Sequence, residues 1–586
     1  MSHQEASAAP SLVPAAKSVD ELIRELYKPG AIYTSSTCSY NTLSEKRIRK
    51  LSGAIRAKDN WMTKMKDAEI RARWTAEAKT QESELTDKEL DYVFDELEYY
   101  ALLQDPDNGI RLSPVDQVWI SDSLIDEQTE KEVKRYAAIL ENVPERLKDW
   151  HPNSGNQVLN LVHPSLFPLI YSRSMLLDKP ISSPKAALDL KAFGSCPGSL
   201  SGWRDAVRKH FQPSDSDKPE PTYYVPQKNN RNSSYYIEGF TSEKFCWLPT
   251  EFNVDESGHT EIKSYINNLH PVKHAVFYPT IAKVFEKFVP LLEQVVTDLA
   301  HPRNNRLCPD VYDWYVSDEP EPESAGESDF EEKYEEWMGN RRFVHPQPEP
   351  FEAPNRPTKA YSLRGRRLQA IFKMSSIELT PENPEYKGGS WHVEAMANER
   401  IIATGIYYYD VENITDSSLA FREHVGYNII YEQDDHQGVA LAYGLVDNSE
   451  ALLIQEVGQV ETKKGRCIVF PNIYQHRVSS FKLADPTKPG YRKIFAFFFI
   501  DPATKVPSTE VVPPQQQDWW TEQLENVNPI GSLPSLVKNC IYNNVSFPIG
   551  LSEAKQIRLS LMDERSSSNG AANSDLFAAN FSLCEH

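Results

Sequence analysis

Gly388-Gly389-Ser390-Trp391-His392-Val393-Glu394 is the stretch around which the rest of the chain is read. In extended backbone, side chains two residues apart share a face, so His392 and Glu394 project together while Val393 packs behind them. An imidazole and a carboxylate aimed at one point suit a divalent transition metal. Alone the pattern has little weight, because a chain with 14 His and 84 acidic residues contains His-x-Glu by chance. Singly, His392 and Glu394 read as a surface pair on a strand, and the metal reading depends on residues further along the chain.

The partner segment is Gly465-Arg466-Cys467-Ile468-Val469-Phe470-Pro471-Asn472-Ile473-Tyr474-Gln475-His476-Arg477-Val478: an apolar strand, a Pro-Asn turn, and a second strand carrying His476. Beyond it lies a strongly apolar strand, Tyr491-Arg492-Lys493-Ile494-Phe495-Ala496-Phe497-Phe498-Phe499-Ile500, with one cationic pair at its start. Strands this far apart in sequence can meet as members of one barrel. His424 and His436 are rival third ligands, but both sit in polar, loop-like surroundings with no Arg-headed apolar strand after them.

The order His392-x-Glu394, then His476, then Arg492 at the head of a core strand resembles the iron(II) and 2-oxoglutarate-dependent dioxygenases over roughly residues 360–505. That superfamily more often has Asp than Glu at the second ligand position, while branches similar to clavaminate synthase and the Jumonji proteins use Glu. Most of the chain also resembles a fungal family known as a domain of unknown function. That likeness includes Leu161-Val162-His163-Pro164-Ser165-Leu166-Phe167-Pro168-Leu169 and Ser264-Tyr265-Ile266-Asn267-Asn268-Leu269-His270-Pro271.

The first resemblance implies an α+β chain with a double-stranded β-helix (jelly-roll) core and a large, mainly helical N-terminal region. It implies His392, Glu394 and His476 as ligands of Fe(II), with 2-oxoglutarate and O2 as cosubstrates, and hydroxylation of a substrate with release of succinate and CO2. Two imidazoles and one carboxylate on one face of the metal leave room for a chelating cosubstrate. The far carboxylate of that cosubstrate needs a guanidinium. Arg492 occupies the matching place, with Lys493 and Arg477 as rivals. Two other readings stay open: a cupin-like metal enzyme that does not use 2-oxoglutarate, and a non-catalytic jelly-roll interaction protein.

Composition bounds the rest. At 586 residues the chain exceeds one ordinary core, and 40% hydrophobic residues with 11% aromatics suffice for globular packing. Lys plus Arg at 63 against Asp plus Glu at 84 gives a formal charge of −21 with no basic patch, so no nucleic-acid partner is expected. Seven scattered cysteines without a C-x-x-C pair read as reduced thiols. The N-terminus lacks a signal-like region and no apolar run reaches the ~20 residues of a membrane span, so an intracellular chain, cytoplasmic or nuclear, is expected. Nothing separates a small-molecule substrate from a protein side chain, and nothing reports oligomeric state.

In order along the chain, residues 1–18 read as a tail and 19–150 as mainly helical, opening at a capping-box-like Ser18-Val19-Asp20-Glu21. Residues 151–310 read as a mixed region with a polar loop over 211–235 and a helix over 275–299. There His163 is expected to be a core or turn histidine. The pair His270 and His274 is expected to be structural, because Pro271 interrupts the helical spacing that zinc would need. Residues 311–359 form an acidic, Pro-rich insertion. Over 360–505, strands are predicted at 368–379, 401–410, 439–445, 451–460, 466–470, 474–481 and 492–500. Residues 506–586 are a C-terminal extension with a helix over 552–564 and a frayed tail.

Overall fold

A computed structural model describes residues 40–571 except 190–193, 211–221, 224–240, 303–304, 308–309, 324–328, 395, 426–428, 434, 447–451, 453 and 526. The expected cap at Ser18 to Glu21 and nearly all of the expected 211–235 loop lie outside the described residues.

The 14-residue strand Arg366–Leu379 organises the centre. Along one edge it pairs with Gly490–Ile500, and along the other with Val158–Val162 and Thr250–Val254 in succession, antiparallel throughout. The resulting ten-stranded sheet continues from Gly490–Ile500 through Ile401–Glu412 and Cys467–Pro471 to Trp119–Ser121. Period-2 alternation gives the sheet two apolar faces. Phe372, Phe495, Phe497 and Phe499 pack with Phe285 and Phe288 of the 23-residue helix Tyr278–Ala300. On the opposite face, Ile406, Tyr408, Ile468, Phe470 and Ala496 pack with Phe421 and Tyr474.

Phe421 and Tyr474 belong to the layer of a second sheet, ordered Ile454–Glu461, Ser418–His424, Gln475–Val478. A short pairing of Glu385–Tyr386 with Phe481–Lys482 and a bridge between His392 and His476 lie beside it. Gly405 lets the long helix close on the large sheet. A Cβ there would come within 2.7 Å of Phe288 and 2.9 Å of Phe499.

The N-terminal helices Leu43–Arg56, Ala68–Gln81 and Asp87–Leu102 form where helical periodicity predicts them, the last with a capping box between Thr86 and Glu89. They are tied to the sheet-bearing part by the buried Arg306, which meets Glu96 at 2.7 Å, Asp116 at 2.9 Å and Glu45 at 3.2 Å. The same region also supplies Trp119–Ser121 to the large sheet.

The expected strand over 439–445 is instead the helix His436–Tyr443. Asp435 accepts the Gly438 N–H at its start, and Gly444 in the left-handed region closes it. Ser418–His424, read from sequence as loop-like around His424, is a strand whose Leu419 and Phe421 point inward. Within the mixed region the residues Thr260 to His270 alternate in sequence like a strand, but only Thr260–Ile262 forms one. The acidic insertion carries the exposed helix Phe330–Asn340. The C-terminal helix, Leu551–Ala571, is longer than expected and folds back so that Ala554 and Leu561 pack with Ile371 and Phe498. His163 is buried, with its Nδ1 accepting from the Ser165 N–H, and His270 accepts from Val272, as structural histidines do. No described helix is long and apolar enough to cross a membrane.

Candidate metal centre

The segment carrying His392 is an irregular extended stretch joined to the second sheet by a single bridge, so the expected regular strand is corrected here. The His392 N–H donates to the His476 carbonyl at 3.2 Å, and the His476 N–H returns the bond at 2.9 Å. This reciprocal pair brings two histidines from distant parts of the sequence to ring centroids 4.4 Å apart. Gly388 permits the approach: its φ is +93°, and a Cβ would stand 2.9 Å from the Val478 carbonyl oxygen. Gly389 donates to that same carbonyl at 3.0 Å.

Glu394 is held by a residue that sequence reasoning does not single out. Asn472, in the Pro-Asn turn before His476, is buried, and its Oδ1 accepts the Glu394 N–H at 2.9 Å. Its Nδ2 donates to the carbonyls of Glu394 and Ile401, each at 3.1 Å. The signal available in the sequence is an amide residue inside an otherwise apolar strand-turn-strand, where it must find partners once buried.

The three side chains then converge. Glu394 Oε1 lies 3.3 Å from His476 Nε2 and 3.8 Å from His392 Nε2. One ligand atom from each residue lies within 4.8 Å of the others, a group that could hold a metal ion. His392 Nδ1 is 2.8 Å from the Ser390 carbonyl oxygen, an acceptor that favours a proton on Nδ1 and would free Nε2 for a metal ion. The ring of His476 packs on Phe470 at 4.8 Å. Side-chain exposures of 34% for His392, 13% for Glu394 and 5% for His476 leave the group open on the His392 side alone.

Electrostatics fit a cation-binding group. Burial opposes charge on Glu394, but the two imidazoles outweigh it and hold the carboxyl well below its usual range. Burial also opposes charge on His392, yet the Glu394 carboxylate and the Ser390 carbonyl raise its pKa. Burial, then the neighbouring His392, lowers that of His476. An ionised carboxylate between two imidazoles with their Nε2 atoms turned inward is the donor chemistry of non-haem iron sites.

Arg492 faces the space between the sheets and is buried, with the Tyr408 and Phe481 rings each 5.4 Å from its guanidinium carbon. Its one hydrogen bond among the described residues is a 3.5 Å contact to Thr462 Oγ1, its Nε has no partner, and no carboxylate pairs with it. Burial pulls its pKa below the ordinary guanidinium value. The rivals lie elsewhere: Lys493 is on the opposite strand face bound to Glu141 at 2.8 Å, and Arg477 is exposed beside the Trp391 ring. His424 and His436 stand outside the converging group.

The chain belongs to the family described as "Protein of unknown function (DUF4246)", which matches residues 87–523, and the family's N-terminal domain matches residues 15–77. No curated protein matches it. Among solved structures the chain is similar to one described as "Crystal structure of IDO from Bacillus thuringiensis", at 9% identity and a TM-score of 0.15, covering 23% of this chain and 47% of that one. It is also similar to "Selenomethionine labeled Fe(II)/(alpha)ketoglutarate-dependent dioxygenase TqaL", at 10% identity and a TM-score of 0.20, covering 43% of this chain and 66% of that one. The chain thus spans less than two thirds of either structure, and likenesses this slight define neither fold nor activity.

Proposed function

We propose that this member of the DUF4246 family is an iron(II) and 2-oxoglutarate-dependent oxygenase built on a double-stranded β-helix. The observation that carries the reading is the convergence of His392, Glu394 and His476 beside a large antiparallel sheet whose inner face also holds a guanidinium, Arg492, without a carboxylate partner among the described residues. The pairing order supports the fold. From Arg366 onward the strands pass back and forth between the two sheets, with Ser418–His424 and Ile454–Glu461 following one another in the small one. Arg366–Leu379, Ile401–Glu412, Cys467–Pro471 and Gly490–Ile500 fall in the large one, while Ser418–His424, Ile454–Glu461 and Gln475–Val478 form the small one, which the His392 segment meets by a single bridge to His476.

Bound Fe(II), 2-oxoglutarate and O2 would supply oxidative decarboxylation to succinate and CO2 coupled to oxidation of a substrate, with hydroxylation the expected outcome. This chain's part is to hold and orient. His392 and His476 offer Nε2, and Glu394 supplies the negative charge that a divalent ion needs. Asn472 fixes the Glu394 backbone, and the Ser390 carbonyl sets the His392 tautomer. Arg492 binds the far carboxylate of the cosubstrate in a pocket walled by Tyr408, Phe481 and Tyr386, where low solvent access strengthens the pair.

Release of CO2 from carboxyl-labelled 2-oxoglutarate by the iron-loaded protein tests the reading. Iron-dependent release that disappears in Glu394→Ala is the expected result. Iron bound at the triad with no release would reject it.

A further inference from the structure

Lys373 lies in the middle of Arg366–Leu379, opposite Ala496. Its neighbours Phe372 and Met374 belong to the core shared with helix Tyr278–Ala300. By alternation Lys373 therefore takes the other face, where Ile371 packs with Phe498 and where Ala496 packs with Ile406 and Tyr408. That face looks into the space between the sheets. Among the described residues Lys373 makes no ion pair and no hydrogen bond, and Glu394 is the acidic group whose charge reaches it.

The wall beside Lys373 carries two neutral histidines and an arginine already paired with an acid, and so leaves Lys373 no free carboxylate there among the described residues. The His151 and His163 rings lie 5.3 Å apart, tilted at 49° to each other, and beyond burial both feel repulsion from Lys373 and from Arg558 of the C-terminal helix. Arg558 is 4% exposed; one end of its guanidinium meets Asp149 at 2.6 Å and its Nε has no partner. A divalent ion on the triad would absorb the charge of Glu394, the acid that balances Lys373. Arg492 stands opposite Ile377, four residues along the same strand, or about 13 Å at ~3.3 Å per residue. Lys373 is thus left over for a second anion after Arg492 has bound the cosubstrate.

We propose that Lys373 binds the carboxylate of the substrate, so that the molecule oxidised at this centre is a small organic acid, an inference that rests on the oxygenase reading above. The ammonium of the half-buried Lys373 is a single positive charge and matches a monoanion, whereas a phosphate dianion would leave one negative charge unbalanced beside it. Set in the middle of the central strand and facing the space between the sheets, Lys373 is placed to meet a small acid that enters that space.

The test is anaerobic calorimetric titration of the iron-loaded protein with butyrate, hexanoate and inorganic phosphate, with and without saturating 2-oxoglutarate. Wild type, Lys373→Gln, Lys373→Arg and Arg492→Gln are compared. Monocarboxylate should bind wild type alongside 2-oxoglutarate, weaken at least about tenfold in Lys373→Gln and stay within about threefold in Lys373→Arg, with 2-oxoglutarate affinity unchanged in both. Arg492→Gln should show the opposite pattern. Equal monocarboxylate binding in wild type and Lys373→Gln, no monocarboxylate binding, preference for phosphate, or loss of 2-oxoglutarate in Lys373→Gln would each overturn the proposal. Lys373-dependent monocarboxylate binding in a protein that ignores 2-oxoglutarate would keep the acid site and reject the oxygenase reading.

Discussion

Replacing Arg492 with Met should stabilise the ligand-free protein while abolishing its response to 2-oxoglutarate. Arg492 is 3% exposed, and the described residues offer it one hydroxyl at 3.5 Å and two aromatic faces at 5.4 Å. Burying a cation carries an effective penalty of several kcal/mol, and two cation–π contacts return about 1–2 kcal/mol each at best. Methionine fills similar volume without charge, so Arg492→Met should gain on the order of 1–3 kcal/mol in the absence of ligand. Wild type should recover about 2.7 kcal/mol when 2-oxoglutarate reaches 100 times its dissociation constant, and the variant nothing. Denaturant unfolding of both metal-loaded proteins, with and without 2-oxoglutarate, reads both numbers. A variant that loses more than about 3 kcal/mol without ligand, yet is still stabilised by 2-oxoglutarate, would make Arg492 a structural residue and refute the reasoning.

Asn472→Ala removes the acceptor for the Glu394 N–H and two donated bonds, and should weaken iron binding by about 10- to 100-fold in a metal-competition assay. Gly405→Val drives side-chain atoms into Phe288 and Phe499, and thermal unfolding should report a loss of about 1–3 kcal/mol or more. His151 is held down to about 4 by burial, Lys373 and Arg558, against an ordinary 6.5. The folded protein stays unprotonated there while the unfolded chain takes up a proton, so stability falls as pH drops from 6.5 toward 4, by up to about 1.4 kcal/mol per unit. His151→Asn should flatten that part of the pH profile of unfolding.

The converging residues are legible in the sequence because they stand in order: His-x-Glu, a distal histidine after a strand and turn, and an arginine at the head of an apolar strand. Burial supplies what spacing cannot, distinguishing Arg492 from Lys493 and Arg477 by strand face and exposure. Val439 to Leu445 reads wrongly as a strand because a short apolar run carries no period that separates strand from helix, and the Asp435 cap and Gly444 decide it. Ser418–His424 escapes detection because Arg422, Glu423 and His424 mask the alternation of Leu419 and Phe421. The pairing of Trp119–Ser121 with Cys467–Pro471 and the return of the C-terminal helix onto Ile371 and Phe498 are long-range events that no local pattern encodes. Asn472 is inconspicuous in the sequence because its amide gains a role only when Glu394 arrives from elsewhere in the chain.

The central claim is tested most directly by anaerobic optical titration of metal-free protein, first with Fe(II) and then with 2-oxoglutarate. A visible charge-transfer band that requires both additions and vanishes in His476→Ala is the predicted result. Iron bound without a band, or no iron bound at the triad, would contradict the account.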